Sequence, residues 1–279
     1  MPIMRVRGVD IVYEVLGDHG PWVTVTPGGR RGIAGERALG ALIAEAGFRV
    51  LLHDRRNVGA SGIALTGESE GMEQAEDLLG LLRGLRTGPV FVAGCSSGAR
   101  MSLLLARQHP EAVKALLLWR VTGGPYAARR LAYNYYEQYL EAVESGGIEA
   151  VCRTEHFAAM IEANPANRET LHEMGAARFT EGMQRWLASF RRDADYPVAG
   201  LSPTEMRQMS MPAIVIPGND RVHPAAGAQA AHRLLPFSIY REVLTNVVEA
   251  DVDFDGWAAK TGSLAAHFID FLRACNRAL

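Results

Sequence analysis

The sequence predicts an α/β chain: a mostly parallel sheet flanked by helices and interrupted by one all-helical segment. Three observations carry this. Near-continuous apolar runs at residues 90–93, Val113–Trp119 and Ala213–Ile216 read as strands buried on both faces, as in parallel sheets. These runs alternate with segments of helical period. From 122 to 209 the alternation stops and only helical pattern is found. The chain therefore divides into a core of residues 1–121 and 210–279 and a helical insert of 122–209.

In chain order, residues 4–17 place Val6, Val9, Ile11, Tyr13 and Val15 at alternating positions around Gly8, as an antiparallel hairpin would. Residues 22–26 form the next strand, ending in Pro27-Gly28-Gly29-Arg30-Arg31-Gly32, and a helix follows over 34–46. Residues 49–54 are a further strand, and 55–62 (Arg-Arg-Asn-Val-Gly-Ala-Ser-Gly) are a loop by composition. Ala75, Leu78, Leu79, Leu82 and Leu85 keep helical spacing over 70–85. The strand at 90–93, a tight turn and a helix from Ala99 come next, then the strand to Trp119. The insert reads as helices at 126–145, 148–163 and 167–192, rich in aromatics such as Tyr136, Phe157, Trp186 and Phe190. Such a unit has its own small core, and its inner face could cap a pocket. A strand at 213–216, a helix at 225–234, a strand at 238–244 and a helix at 257–274 complete the sheet.

With 279 residues, 48% of them apolar, the chain can bury one large core plus a small lobe. A net charge of −2 argues against nucleic acid or an anionic membrane as the partner. No apolar run approaches the roughly 18 residues of a membrane span, and the N-terminus lacks a secretion signal. Three widely spaced cysteines, Cys95, Cys152 and Cys275, are most simply explained by a reduced, cytoplasmic setting. No metal-ligand spacing, phosphate loop or dinucleotide fingerprint is present, so no cofactor is expected. A small-molecule substrate is the expected partner, with a homodimer left open.

Chemistry is concentrated at Gly94-Cys95-Ser96-Ser97-Gly98. A Gly-x-Ser-x-Gly turn between strand and helix holds its serine in a strained conformation with the hydroxyl exposed, and the glycines let strand and helix pass closely. A second match, Gly67-Glu68-Ser69-Glu70-Gly71, has no strand before it, and Ser69 reads as an N-cap. The hairpin, the Gly-rich turn at 27–32, the Asp-Arg-Arg-Asn-x-Gly-x-Ser loop from Asp54, the Ser96 turn and Pro217-Gly218-Asn219-Asp220 stand in an order that resembles the α/β-hydrolase superfamily. The resemblance covers essentially the whole chain. It implies an α/β-hydrolase fold with a helical cap after the sixth strand, Ser96 as nucleophile, Asp220 as the acid, and backbone N–H groups of Gly29 and Ser97 as the oxyanion hole.

The superfamily's base is a histidine after the last strand, and residues 245–256 contain none. A serine hydroxyl needs a neighbouring base at pH 7. His223, three residues after Asp220 at the carboxyl edge of the sheet, is the best placed substitute, as base or substrate contact, against a plain helix-start residue. His267 lies too far along its helix, His53 reads as packed core, and His156 and His172 belong to the insert. A carboxylate of Glu249, Asp251 or Asp253 is a weaker candidate, its ordinary pKa being near 4. Arginine pairs at 30–31 and 55–56 offer paired donors matching a carboxylate; Arg30, Arg31, Tyr136 and Trp186 are the expected substrate contacts. The leading expectation is a serine hydrolase for an ester, thioester or activated carbon–carbon bond of a small carboxylate-bearing or aromatic substrate. A lyase, cyclase or isomerase, or a ligand-binding protein on the same fold, are the alternatives.

Overall fold

The computed structural model describes residues 1–244 and 255–278. Eight strands, β1 (Ile3–Val6), β2 (Val9–Leu16), β3 (Trp22–Thr26), β4 (Arg49–His53), β5 (Val90–Cys95), β6 (Val113–Trp119), β7 (Ala213–Ile216) and β8 (Ser238–Tyr240), form one sheet in the order β1-β2-β4-β3-β5-β6-β7-β8. β1 pairs antiparallel with β2, and β2 with β4; every other pairing is parallel. Arg7 and Gly8, both at positive φ (46° and 82°), close the hairpin.

The core helices are α1 (Arg37–Glu45), α2 (Glu70–Leu85), α3 (Ser97–Gln108), α9 (Ala225–Leu234), α10 (Asp255–Ala258) and α11 (Thr261–Ala278). Side chains along the central strands alternate between two cores. Leu116 and Leu118 of β6 join Leu78, Leu104 and Ala228 on one face, whereas Leu117 joins Leu39, Ile43 and Phe268 on the other. This two-sided burial explains the unbroken apolar runs of these strands.

Between β6 and β7 the chain forms α4 (Pro125–Ala132), α5 (Gln138–Cys152), α6 (Glu155–Ala163), α7 (Ala166–Arg192) and α8 (Pro203–Arg207). These carry a third core around Tyr136, Tyr139, Phe157, Phe179 and Trp186, which also takes in Ile63 and Leu65 of the loop after β4. Four expectations are corrected here. The single helix expected over 126–145 is broken by a π-helical turn at Tyr133–Glu137, and the helix expected over 148–163 splits at Arg153–Thr154 between α5 and α6. β8 ends at Tyr240 and not at 244, and helix 257–274 is two helices with a break near Lys260. Among the described residues no helix is long and apolar enough to cross a membrane.

Candidate active site

Ser96 sits between β5 and α3 with φ 52° and ψ −112°, a conformation that L-residues adopt only under constraint. The constraint is steric. A Cβ on Gly98 would collide with the carbonyl oxygen of Thr26 and lie 2.8 Å from that of Pro27, and one on Gly94 would collide with the Gly98 carbonyl. Only glycine lets α3 start so close to β3. The other Gly-x-Ser-x-Gly match behaves differently: Ser69 has extended backbone (φ −148°, ψ 129°) at the N-cap of α2, although its hydroxyl makes no capping bond.

The turn after β7 supplies the partners. Asp220 Oδ1 accepts from the backbone N–H groups of Val222 and His223, both at 2.9 Å, which curls the loop so that the His223 ring returns over the carboxylate. His223 Nδ1 lies 2.8 and 2.9 Å from the two Asp220 oxygens, and its Nε2 lies 2.9 Å from Ser96 Oγ. A serine hydroxyl donating to Nε2 leaves the ring proton on Nδ1, donated to Asp220. Arg120, directly after β6, donates from Nη2 to Asp220 Oδ2 at 2.8 Å and stands 3.3 Å from Nδ1. Since Nδ1 already carries a proton, Arg120 faces the ring as a neighbouring cation and not as a donor to it.

These contacts set the protonation states. Burial pushes the Asp220 carboxyl up, but the hydrogen bond and charge of His223 and the Arg120 cation outweigh it and hold the group below its ordinary value of 3.8. Burial also pushes His223 down; Asp220 pulls it back up and Arg120 opposes that, leaving it below its ordinary 6.5. At neutral pH the pair is a carboxylate and a neutral imidazole, the form that can accept a proton.

Gly29 (φ 57°) and Ser97, the expected oxyanion donors, are brought together: Ser97 Oγ donates to the Gly29 carbonyl at 3.2 Å. Arg55 spans both, donating to Ser97 Oγ at 3.0 Å and to the Gly29 carbonyl at 2.7 Å. A cavity of about 540 Å³ opens over Ser96 and His223, walled by Gly28 to Arg31 and Arg120 and roofed by Tyr135, Tyr139 and His156. Burial drives His156 down to about 3, and its Nε2 donates to the Asn57 carbonyl at 2.9 Å, so it is neutral.

Several expected contacts take other roles. Arg30 and Arg31 line the cavity, but Arg30 pairs with Glu70, and Arg31 donates to the Gly35 carbonyl at 3.2 Å. Tyr136 and Trp186 do not reach the cavity. The Tyr136 hydroxyl donates to Glu70 Oε2 at 3.2 Å, and Trp186 Nε1 to the Gly67 carbonyl at 3.1 Å, tying the insert to the start of α2 and to the loop before it. Arg56 is also turned away, forked onto Asp77 at 2.5 and 2.6 Å, and Arg55 is absorbed by Gly29 and Ser97. His53 is buried, and His267 is half-buried on α11. Glu249, Asp251 and Asp253 lie outside the described residues. Arg120 and Glu70 escaped the sequence reading. The signal for Arg120 was a cation closing an apolar strand at the sheet edge that carries Ser96.

A family model described as the alpha/beta hydrolase fold matches residues 21–157. Over 78 residues, 28% of this chain, the sequence is 38% identical to the sn-1-specific diacylglycerol lipase ABHD11 of Mus musculus. The match spans 25% of the length of that curated relative. Among solved structures, the enol-lactonase of Burkholderia xenovorans aligns with a TM-score of 0.66 at 20% identity, covering 98% of this chain and 100% of that one. A thermophilic esterase from Thermogutta terrifontis gives 0.66 at 20% identity over 98% of each chain. A meta-cleavage product hydrolase gives 0.68 at 15% identity, again over 98% of each. At these identities the likeness is one of fold.

Proposed function

The chain belongs by its fold to the α/β-hydrolase superfamily, and from that premise we propose that it is a serine hydrolase. Its substrate is an ester, thioester or activated carbon–carbon bond of a small carboxylate-bearing or aromatic acid. The observation that carries this reading is the unbroken line from Ser96 Oγ through the His223 ring to Asp220, with steps of 2.9 and 2.8 Å. His223 Nε2 takes the hydroxyl proton as Oγ bonds to the substrate carbonyl carbon. Asp220 stabilises the imidazolium so formed. The carbonyl oxygen, now negative, receives the N–H groups of Gly29 and Ser97, and collapse of the intermediate expels the leaving group, which takes the proton from His223. Water, deprotonated by the same ring, then cleaves the acyl-enzyme and regenerates Ser96.

Names among the structural neighbours, an enol-lactonase, an esterase and a meta-cleavage product hydrolase, fit such acyl chemistry. The non-covalent alternatives were motivated by a missing base, and His223 offers one. Arg31 and Arg130 on the cavity wall favour a substrate anion. The test is labelling by a fluorophosphonate with Ser96→Ala and His223→Ala alongside. Labelling lost in both variants supports the reading; a folded parent that never labels overturns it.

A further inference from the structure

Arg55 is a buried cation with no carboxylate of its own. It is 2% exposed, and among the described residues it donates only to the Ser97 hydroxyl and the Gly29 carbonyl, its Nε having no partner. The adjacent carboxylate, Glu70, is engaged on both oxygens, one by Arg30 and the other by the Tyr136 hydroxyl. Burial, with Arg30 and Arg100 alongside, pulls Arg55 down to about 10, and it remains charged at neutral pH. A buried charge on neutral acceptors is costly, so its retention calls for an explanation, and a catalytic role is one.

Both acceptors belong to the two residues that frame the oxyanion site, one on the loop after β3 and the other at the start of α3. One guanidinium thus fixes their separation while adding positive charge behind them. Resting on the serine-hydrolase reading, we propose that Arg55 is the positioning residue of the oxyanion hole, a resident cation whose countercharge is the substrate oxyanion formed during the reaction. It does not line the cavity and does not touch substrate. Its effect falls on the charged transition state and spares the neutral ground state.

The experiment compares the parent with Arg55→Met and Arg55→Lys. The readings are the fluorophosphonate labelling rate, the affinity for phenylboronic acid, which becomes a tetrahedral anion on serine, and the affinity for a neutral ligand, acetophenone. Arg55→Met should lower the labelling rate and boronate affinity by about 100-fold while acetophenone binding changes less than about twofold, with Arg55→Lys in between. Parental labelling in folded Arg55→Met overturns the inference, as does equal loss of boronate and acetophenone binding. If Arg55→Met does not fold, Ser97→Ala decides: it removes the hydroxyl through which the guanidinium holds the start of α3 and keeps the N–H. An unchanged boronate affinity in that variant overturns the inference, and a fall of about fivefold with acetophenone binding intact supports it. Failure of the parent itself to label refutes the hydrolase reading instead, so the two failures are distinct.

Discussion

A histidine three residues beyond its aspartate can close on that carboxylate only if the intervening backbone turns sharply, and the two backbone N–H groups bound to Asp220 Oδ1 provide that turn. Replacing His223 by alanine should therefore remove the base without disturbing β7, lowering the labelling rate about 10³-fold or more while the melting temperature holds. The sign of the pH dependence follows from the lowered His223 pKa. Only the neutral ring accepts a proton, so the rate is full above its folded pKa and falls as pH drops through it. Because that value lies below the ordinary 6.5, labelling at pH 6.5 should stay close to its plateau and decline only in more acidic buffer. Glu36, raised to about 7 by burial against the opposing pull of Arg31 and Arg120, titrates nearby; Glu36→Gln should leave that acid limb in place, and a limb that moves with Glu36 would contradict the assignment. That Ser96, Asp220 and His223 share one edge of the sheet was legible because turn chemistry and strand ends are local in sequence. Arg120 and Glu70 were not, because their partners lie 100 and 40 residues away and only the packed sheet brings them together.

At the scale of elements, the Ser96 turn was readable as a strand-turn-helix pattern, and its glycines have a steric purpose. Gly98→Ala should push α3 away from β3, costing about 1–3 kcal/mol, which for a chain of this size lowers the melting temperature by about 5 °C. A calorimetric scan reads this directly, and an unchanged transition would mean that the approach of α3 to Thr26 is relaxed in solution. The insert was harder to read. Its aromatic spacing revealed an apolar face but not which rings would meet the cavity. Across a π-helical turn at Tyr133–Glu137, Tyr135 and Tyr139 face the cavity while Tyr136 turns to Glu70. Nothing in the tyrosine-rich stretch itself announces a five-residue turn, and the choice is made by Glu70, Phe190 and Arg30 packing around it.

Across the whole molecule, the loop after β4 is fixed by a buried ion network as well as by the sheet. Arg56 bonds Asp77 through two donors and Glu73 through a third, tying that loop to α2. Asp77→Ala strands the 1%-exposed Arg56 without its principal counterion and should cost about 3–5 kcal/mol in a denaturant titration. Where the strands fall along the chain was legible from apolar runs and helical alternation, because burial on both faces leaves its mark residue by residue. The partnering of that network was not, since any arginine reads alike until its neighbours are known. Strand order also explains how His223 reaches Ser96. β5 and β7 flank β6 and end at the same edge, so the loops after them carry Ser96 and the Asp220–His223 pair within one hydrogen bond of each other. On the proposed reading all three groups come from two loops, and residues 245–256, which contain no histidine, have no proton to handle. A triple variant, Glu249→Gln with Asp251→Asn and Asp253→Asn, should then label within about threefold of the parent, against the 10³-fold loss for His223→Ala. Loss of labelling in the folded triple variant comparable to that of His223→Ala would place the base among those carboxylates and return His223 to a contact residue.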